Sequence, residues 1–155
     1  MDDCIFCKIV KGDIPSVKIW EDDDFIAILD AFPNTKGATL VISKKHLDSY
    51  AMDMDDEMYS KFFLAAKKVS KLLEKGLNVK RVGMVMEGTG INHAHIKLYP
   101  MHGLTKKFGG DVWHNDKQFF ETYPGYLISK SGEQWSMDML EKVADEILNG
   151  KIKNT

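Results

Sequence analysis

The sequence predicts an α+β domain, and three observations carry that reading. Five short runs rich in Val, Ile, Leu, Phe and Trp are separated by turn-forming residues, as strands are. One long stretch between the third and fourth of these runs spaces its apolar residues at helical intervals, and a second such stretch lies near the end of the chain. The length, 155 residues, is that of a single domain, 1–155, which can bury a core without covalent help.

In chain order, Val17 to Trp20 and Phe25 to Leu29 flank the acidic stretch Glu21 to Asp24 and read as a hairpin. Phe32-Pro33-Asn34-Thr35-Lys36-Gly37 breaks the pattern, and Thr39 to Ser43 resumes it as a third, largely buried strand. From Met58 onward, apolar residues at 58, 62, 65, 66, 69, 72 and 73 fall on one helical face. Asp55, Asp56 and Glu57 begin that helix, Lys67, Lys68, Lys71 and Lys75 occupy its last turns, and Gly76 is expected to cap it. Arg81 to Met86 and His93 to Tyr99 read as strands four and five, paired across the tight segment Gly88-Thr89-Gly90. Beyond them only Tyr126 to Ser129 is strand-like, until Ser136 caps a last helix that runs through Leu148 and stops at Gly150.

Charge and hydropathy exclude several functions. With 21 basic against 23 acidic side chains and a net charge of −2, the chain lacks the positive excess of a general nucleic-acid or membrane-surface binder. The longest apolar runs, Phe25 to Leu29 and Phe62 to Ala66, are far below the roughly twenty residues of a membrane helix. Met1-Asp2-Asp3-Cys4 has neither the basic nor the apolar part of a secretory signal, so a cytoplasmic protein is expected. In that reducing compartment Cys4 and Cys7 would not stay disulfide-bonded; a metal, a redox role or simple burial is left to explain them.

Chemistry concentrates in His93-Ala94-His95-Ile96-Lys97-Leu98-Tyr99-Pro100. With the period of a strand, His93, His95, Lys97 and Tyr99 share one face while Ala94, Ile96 and Leu98 share the other and pack on the core. A strand with a wet polar side would look the same; the surrounding sequence favours a site. Cys4-Ile5-Phe6-Cys7-Lys8-Ile9-Val10-Lys11-Gly12-Asp13-Ile14-Pro15, Trp20 to Asp23, Leu29-Asp30, Gly37 to Ile42, Lys44-Lys45-His46 and His93 to Pro100 together resemble the histidine triad (HIT) superfamily, in order and with similar spacing. The resemblance spans residues 1–101, the family core, and fades over 102–155, a C-terminal extension.

The resemblance implies an antiparallel five-stranded sheet with helices, a homodimer, and a nucleotide hydrolase or nucleotidyltransferase. Its second triad histidine, by position His95, would attack the α-phosphate of a nucleotide conjugate such as a dinucleoside polyphosphate or a nucleoside phosphoramidate, forming a nucleotidyl-His95 intermediate. The carbonyl of His93 would hold the other ring nitrogen. Lys97 stands where the third histidine is expected, and its ammonium suits developing phosphate charge, although a solvated surface lysine would read alike. Ala38 stands where the family commonly has a histidine, and Gly88-Thr89 is the nearest equivalent of its Gly-Gln, making Thr89 a candidate phosphate contact.

Zinc-bearing members of the superfamily imply the ligand set Cys4, Cys7, His46 and His93 for a closed structural zinc site. A cap on the long helix is an alternative role for His46. For the nucleoside, the resemblance points to Ile5, Phe6, Ile9 and Ile28 around the base, or else to plain core. Asp30 would take the ribose hydroxyls, or else serve the following turn. Residues 103–126, with Lys106, Lys107, Gly109, Gly110, Trp113 and Tyr126, read as a surface loop rather than a flap, and His102 and His114 as surface histidines. The rival reading is a nucleotide-binding sensor or adaptor that lost turnover with Ala38 and Lys97.

Overall fold

The hairpin forms where two short apolar runs, the second buried along its whole length, meet a turn that fixes itself. Strand β1 (Lys18–Glu21) pairs antiparallel with β2 (Phe25–Leu29), and the Asp22 carboxylate accepts the Asp24 and Phe25 N–H groups at 3.1 and 2.8 Å. This is a computed structural model, and it describes residues 3–104 and 133–149. The expected strand at Tyr126 to Ser129, the stop at Gly150, His114 and the loop residues from Lys106 to Tyr126 lie outside the described residues.

Strand β3 (Thr39–Ser43) follows as expected, then helix α2 (Asp56–Leu77), β4 (Val82–Val85) and β5 (His95–Pro100), with α3 (Met137–Asn149) last. The five strands form one antiparallel sheet in the order β1-β2-β3-β5-β4. Period two divides its side chains cleanly. Phe25, Ala27, Leu29, Val41, Ala94, Ile96 and Leu98 meet Phe62, Ala65, Ala66, Val69 and Leu73 of α2 and Leu140, Val143, Ala144 and Ile147 of α3 in the main core. Ile26, Ile28, Leu40 and Ile42 point the other way, under a short helix α1 (Ile5–Lys11) whose Phe6 is buried against them. That helix was not expected: seven residues are too few to display a helical period.

Three local expectations are corrected. Gly76 does not cap α2; it lies inside the helix, and Asn78 closes it in the left-handed conformation at φ 52°. The glycine serves packing, because a Cβ there would fall 2.2 Å from the Ile147 Cα of α3. His46 is no cap either, since Asp55 fills that place and accepts the Met58 N–H at 2.9 Å. Finally, β4 and β5 do pair, but through a loop over 86–94 rather than a tight turn. Ser49 ties that loop down, its hydroxyl donating to the Gly88 carbonyl at 2.7 Å and its N–H to the Asn92 side chain at 2.9 Å.

Candidate active site and metal centre

Three segments converge where α1 meets the start of β5. Cys4 caps α1 and Cys7 lies in its first turn, His46 comes from the link after β3, and His93 from the residue pair before β5. Their donor atoms all lie within 4.8 Å of one another. Cys4 Sγ stands 3.3 Å and Cys7 Sγ 3.5 Å from His93 Nδ1, and Cys7 Sγ stands 3.3 Å from His46 Nδ1. A tetrahedral ion held at about 2.3 Å from sulfur and 2.0–2.1 Å from nitrogen separates adjacent sulfur and nitrogen ligands by about 3.6 Å, so these spacings fit its edges. His93 is fully buried and its Nε2–H donates to the Ser43 carbonyl at 2.7 Å, which leaves Nδ1 as the lone-pair nitrogen facing the thiols. Burial pushes the His93 imidazole toward its neutral form and raises the Cys7 thiol above its ordinary value, with Cys4 adding to the latter. The group could hold a metal ion.

His93 also touches the next site. Its carbonyl accepts the Nδ1–H of His95 at 2.7 Å, so a carbonyl that can only accept fixes the tautomer and leaves the Nε2 lone pair free. The ring of Phe6 meets His95 edge-on at 5.0 Å between centroids. Burial lowers the His95 pKa; the bond to His93 opposes this, Lys97 reinforces it, and Glu87 and Asp30 oppose it weakly. The balance is a neutral, oriented imidazole at pH 7, a competent nucleophile or base.

Lys97 is on the same face, half-buried, and its ammonium donates to Glu87 Oε1 at 2.7 Å. Sequence reasoning missed Glu87. The observed β4–β5 register brings it in: Val85 pairs with Lys97, so a carboxylate two residues past Val85 comes within reach of this face. Tyr99, further along, has its pKa pushed up to about 12, by burial first and then by the Asp30 and Glu87 carboxylates.

On the β2 side, Phe6, Ile9 and Ile28 share one apolar cluster, whereas Ile5 is exposed on α1 and Thr89 is exposed in the 86–94 loop. Asp30 follows β2 and its carboxylate accepts the Phe32 N–H at 2.9 Å, so the turn role holds whatever else it does. Ala38, where a histidine was expected, is buried, and its carbonyl accepts the Asp30 N–H at 2.9 Å. His102 donates to the Lys36 carbonyl at the surface, away from these groups.

The model of the HIT domain matches residues 11–108, which leaves Cys4 and Cys7 just ahead of the matched span. Protein hit of Bacillus subtilis is 37% identical over 117 residues, covering 72% of this chain and 79% of that protein. The adenosine 5'-monophosphoramidase hnt1 of Schizosaccharomyces pombe is 38% identical over 98 residues, covering 63% of this chain and 73% of that protein. Among solved structures, a Hit-like protein involved in cell-cycle regulation from Bartonella henselae superposes with a TM-score of 0.67 at 26% identity, covering 97% of this chain and 98% of its own.

Proposed function

The chain belongs to the HIT family, and we propose that it is a nucleotide hydrolase or nucleotidyltransferase acting at the α-phosphate of a nucleotide conjugate. The relative named adenosine 5'-monophosphoramidase supports that class. The observation that carries the reading is the buried His95, whose Nδ1–H is committed to the His93 carbonyl. Its Nε2 lone pair forms the new bond to phosphorus as the bond to the leaving group breaks, and the departing atom takes the electron pair: a phosphate oxygen leaves as the anion, an amine nitrogen with a proton drawn from solvent. Water or another acceptor then opens the nucleotidyl-His95, which splits one hard displacement into two easier ones.

In this reading Lys97 neutralises charge on the phosphate oxygens. Phe6, Ile9 and Ile28, with the exposed Ile5, hold the base, Asp30 the ribose diol, and Thr89 a phosphate oxygen. Zinc is the ion assigned to Cys4, Cys7, His46 and His93, because two thiols and two imidazoles with no open position suit a closed structural site. When bound, it ties α1 to the start of β5 and so stiffens the carbonyl that orients His95. No helix among the described residues is long and apolar enough to cross a membrane. We assign the edge of β4, unpaired among the described residues and carrying the exposed Met84, to a second copy of the chain, checked by light scattering at twice the chain mass.

Intact-mass analysis after rapid quench with a panel of nucleotide conjugates tests the proposal. Nucleotidylated protein should form with the native chain and be absent from His95→Ala. A native chain that binds nucleotides but neither forms the adduct nor turns them over is the sensor instead.

A further inference from the structure

The Lys97–Glu87 pair is more than a surface contact. The side chains are 21% and 17% exposed, and the ammonium meets Glu87 Oε1 at 2.7 Å, so the positive charge of Lys97 is largely matched before any substrate arrives. Glu87 reaches this face from the β4 side of β5. Phe6, Ile28 and Asp30 lie on the opposite side of His95, toward β2 and α1. A nucleotide laid with its base and ribose on the β2 side therefore presents whatever lies beyond its α-phosphate to Lys97 and Glu87. Among the described residues there, the Lys97 ammonium and the Glu87 carboxylate face each other as a matched pair.

We propose that Glu87 is a specificity-determining residue: by matching the charge of Lys97 it makes the site select nucleotide conjugates with an amine leaving group over those with a polyphosphate leaving group. The inference rests on the function proposed above and adds the residue that chooses the leaving group. When a P–N bond breaks, the nitrogen takes the electron pair and gains a proton, so an amine departs neutral or cationic, and a carboxylate tolerates either. A departing polyphosphate gains negative charge beside the Glu87 carboxylate, and like charges brought together out of bulk water count against the wrong ligand.

Calorimetric affinities for AMP and ATP, without divalent cations, test this in the native chain, Glu87→Gln and Lys97→Met. Glu87→Gln keeps the shape and should tighten ATP relative to AMP by about tenfold, while Lys97→Met should move the same ratio the other way. The ratio of kcat/KM for a diadenosine polyphosphate to that for adenosine 5'-phosphoramidate should follow the binding ratio in sign. A pair that merely props the loop would shift both variants in one direction, and that outcome overturns the inference. So does a ratio within twofold of native in Glu87→Gln at unchanged melting temperature. If the native chain binds neither nucleotide, the proposed function falls and this inference with it; binding with an unmoved ratio removes only the role of Glu87.

Discussion

The two faces of strand β5 share one backbone and have opposite sensitivities. Ala94, just ahead of the strand, and Ile96 and Leu98 within it are fully buried in the apolar core under α2, where side-chain shape is the main requirement. His95, Lys97 and Tyr99, one residue out of step, have neighbours that set protonation and charge: a carbonyl, a carboxylate and a phenyl edge. Their surroundings cost more to assemble than they return in stability, because desolvated ions and imidazoles gain little from burial. Alternation thus lets one strand anchor a core and carry the proposed reactive site, with damage to each readable by a different measurement.

The largest effect separates the two faces. His95→Ala should lower turnover by at least about a thousandfold, about 4 kcal/mol, with the melting temperature nearly unchanged. Ile96→Ala should do the reverse, costing about 2–5 kcal/mol of stability through the cavity it leaves, with kcat of the folded fraction close to native. Activity surviving His95→Ala, or a stability loss there as large as at Ile96, would break the division. The pH profile sharpens it. Burial lowers the His95 pKa below its ordinary 6.5, so kcat/KM should be flat near pH 7 and fall only on an acid limb below 6.5. The same shift favours the folded state above pH 6.5, and that contribution is lost as pH drops through the lowered value.

His93 belongs to both accounts, and it supplies the next effect. About one zinc per chain is expected, measured on protein purified without chelator. Cys4→Ser should lose that metal, lower the melting temperature by about 5–10 °C, and reduce kcat by loosening the carbonyl that orients His95. Undiminished metal in Cys4→Ser, or metal loss without change in either property, would cut the link from α1 to β5.

How much of this was legible in the sequence differs between the faces in the same way. Strands and core followed from period alone: Thr39–Ser43 has identical bounds when read and when observed, and Phe62, Ala65, Ala66, Val69 and Leu73 of the helical stripe are all buried. The gathering of Cys4, Cys7, His46 and His93 came from resemblance, since no local rule brings residues 89 positions apart to 3.3 Å. Glu87 escaped because partners across a sheet depend on register, and the 86–94 loop is longer than the tight turn its glycines suggested. Gly76 misled for a related reason: its role is set by α3, which approaches from the far end of the chain.

Lys97 supplies a smaller effect and asks whether its face is reactive along its whole length. Lys97→Met keeps most of the stem and removes the charge, so folding should persist while kcat falls by about one to two orders of magnitude, roughly 1.4 to 3 kcal/mol. Lys97→His should recover part of this. A kcat within about twofold of native in both variants would place the reactive surface at His95 alone.

The smallest effect concerns Asp30, which stands where the two roles meet. It directly follows Leu29 of the main core, and one carboxylate oxygen already serves the turn by accepting the Phe32 N–H. The second oxygen gives the side chain room to take a ribose hydroxyl as well, and a carboxylate is suited to a cis-diol because it accepts without offering a competing donor. Asp30→Ala removes both functions, so its cost to ribonucleotide binding should exceed its cost to 2′-deoxynucleotide binding by about 1 kcal/mol. Asp30→Asn isolates the ligand contact, because its amide oxygen can still accept from Phe32 while its NH₂ cannot accept from the diol. If both variants weaken ribo- and deoxynucleotides equally, Asp30 belongs with Leu29 to the scaffold, and the reactive face ends at the strand rather than at the turn.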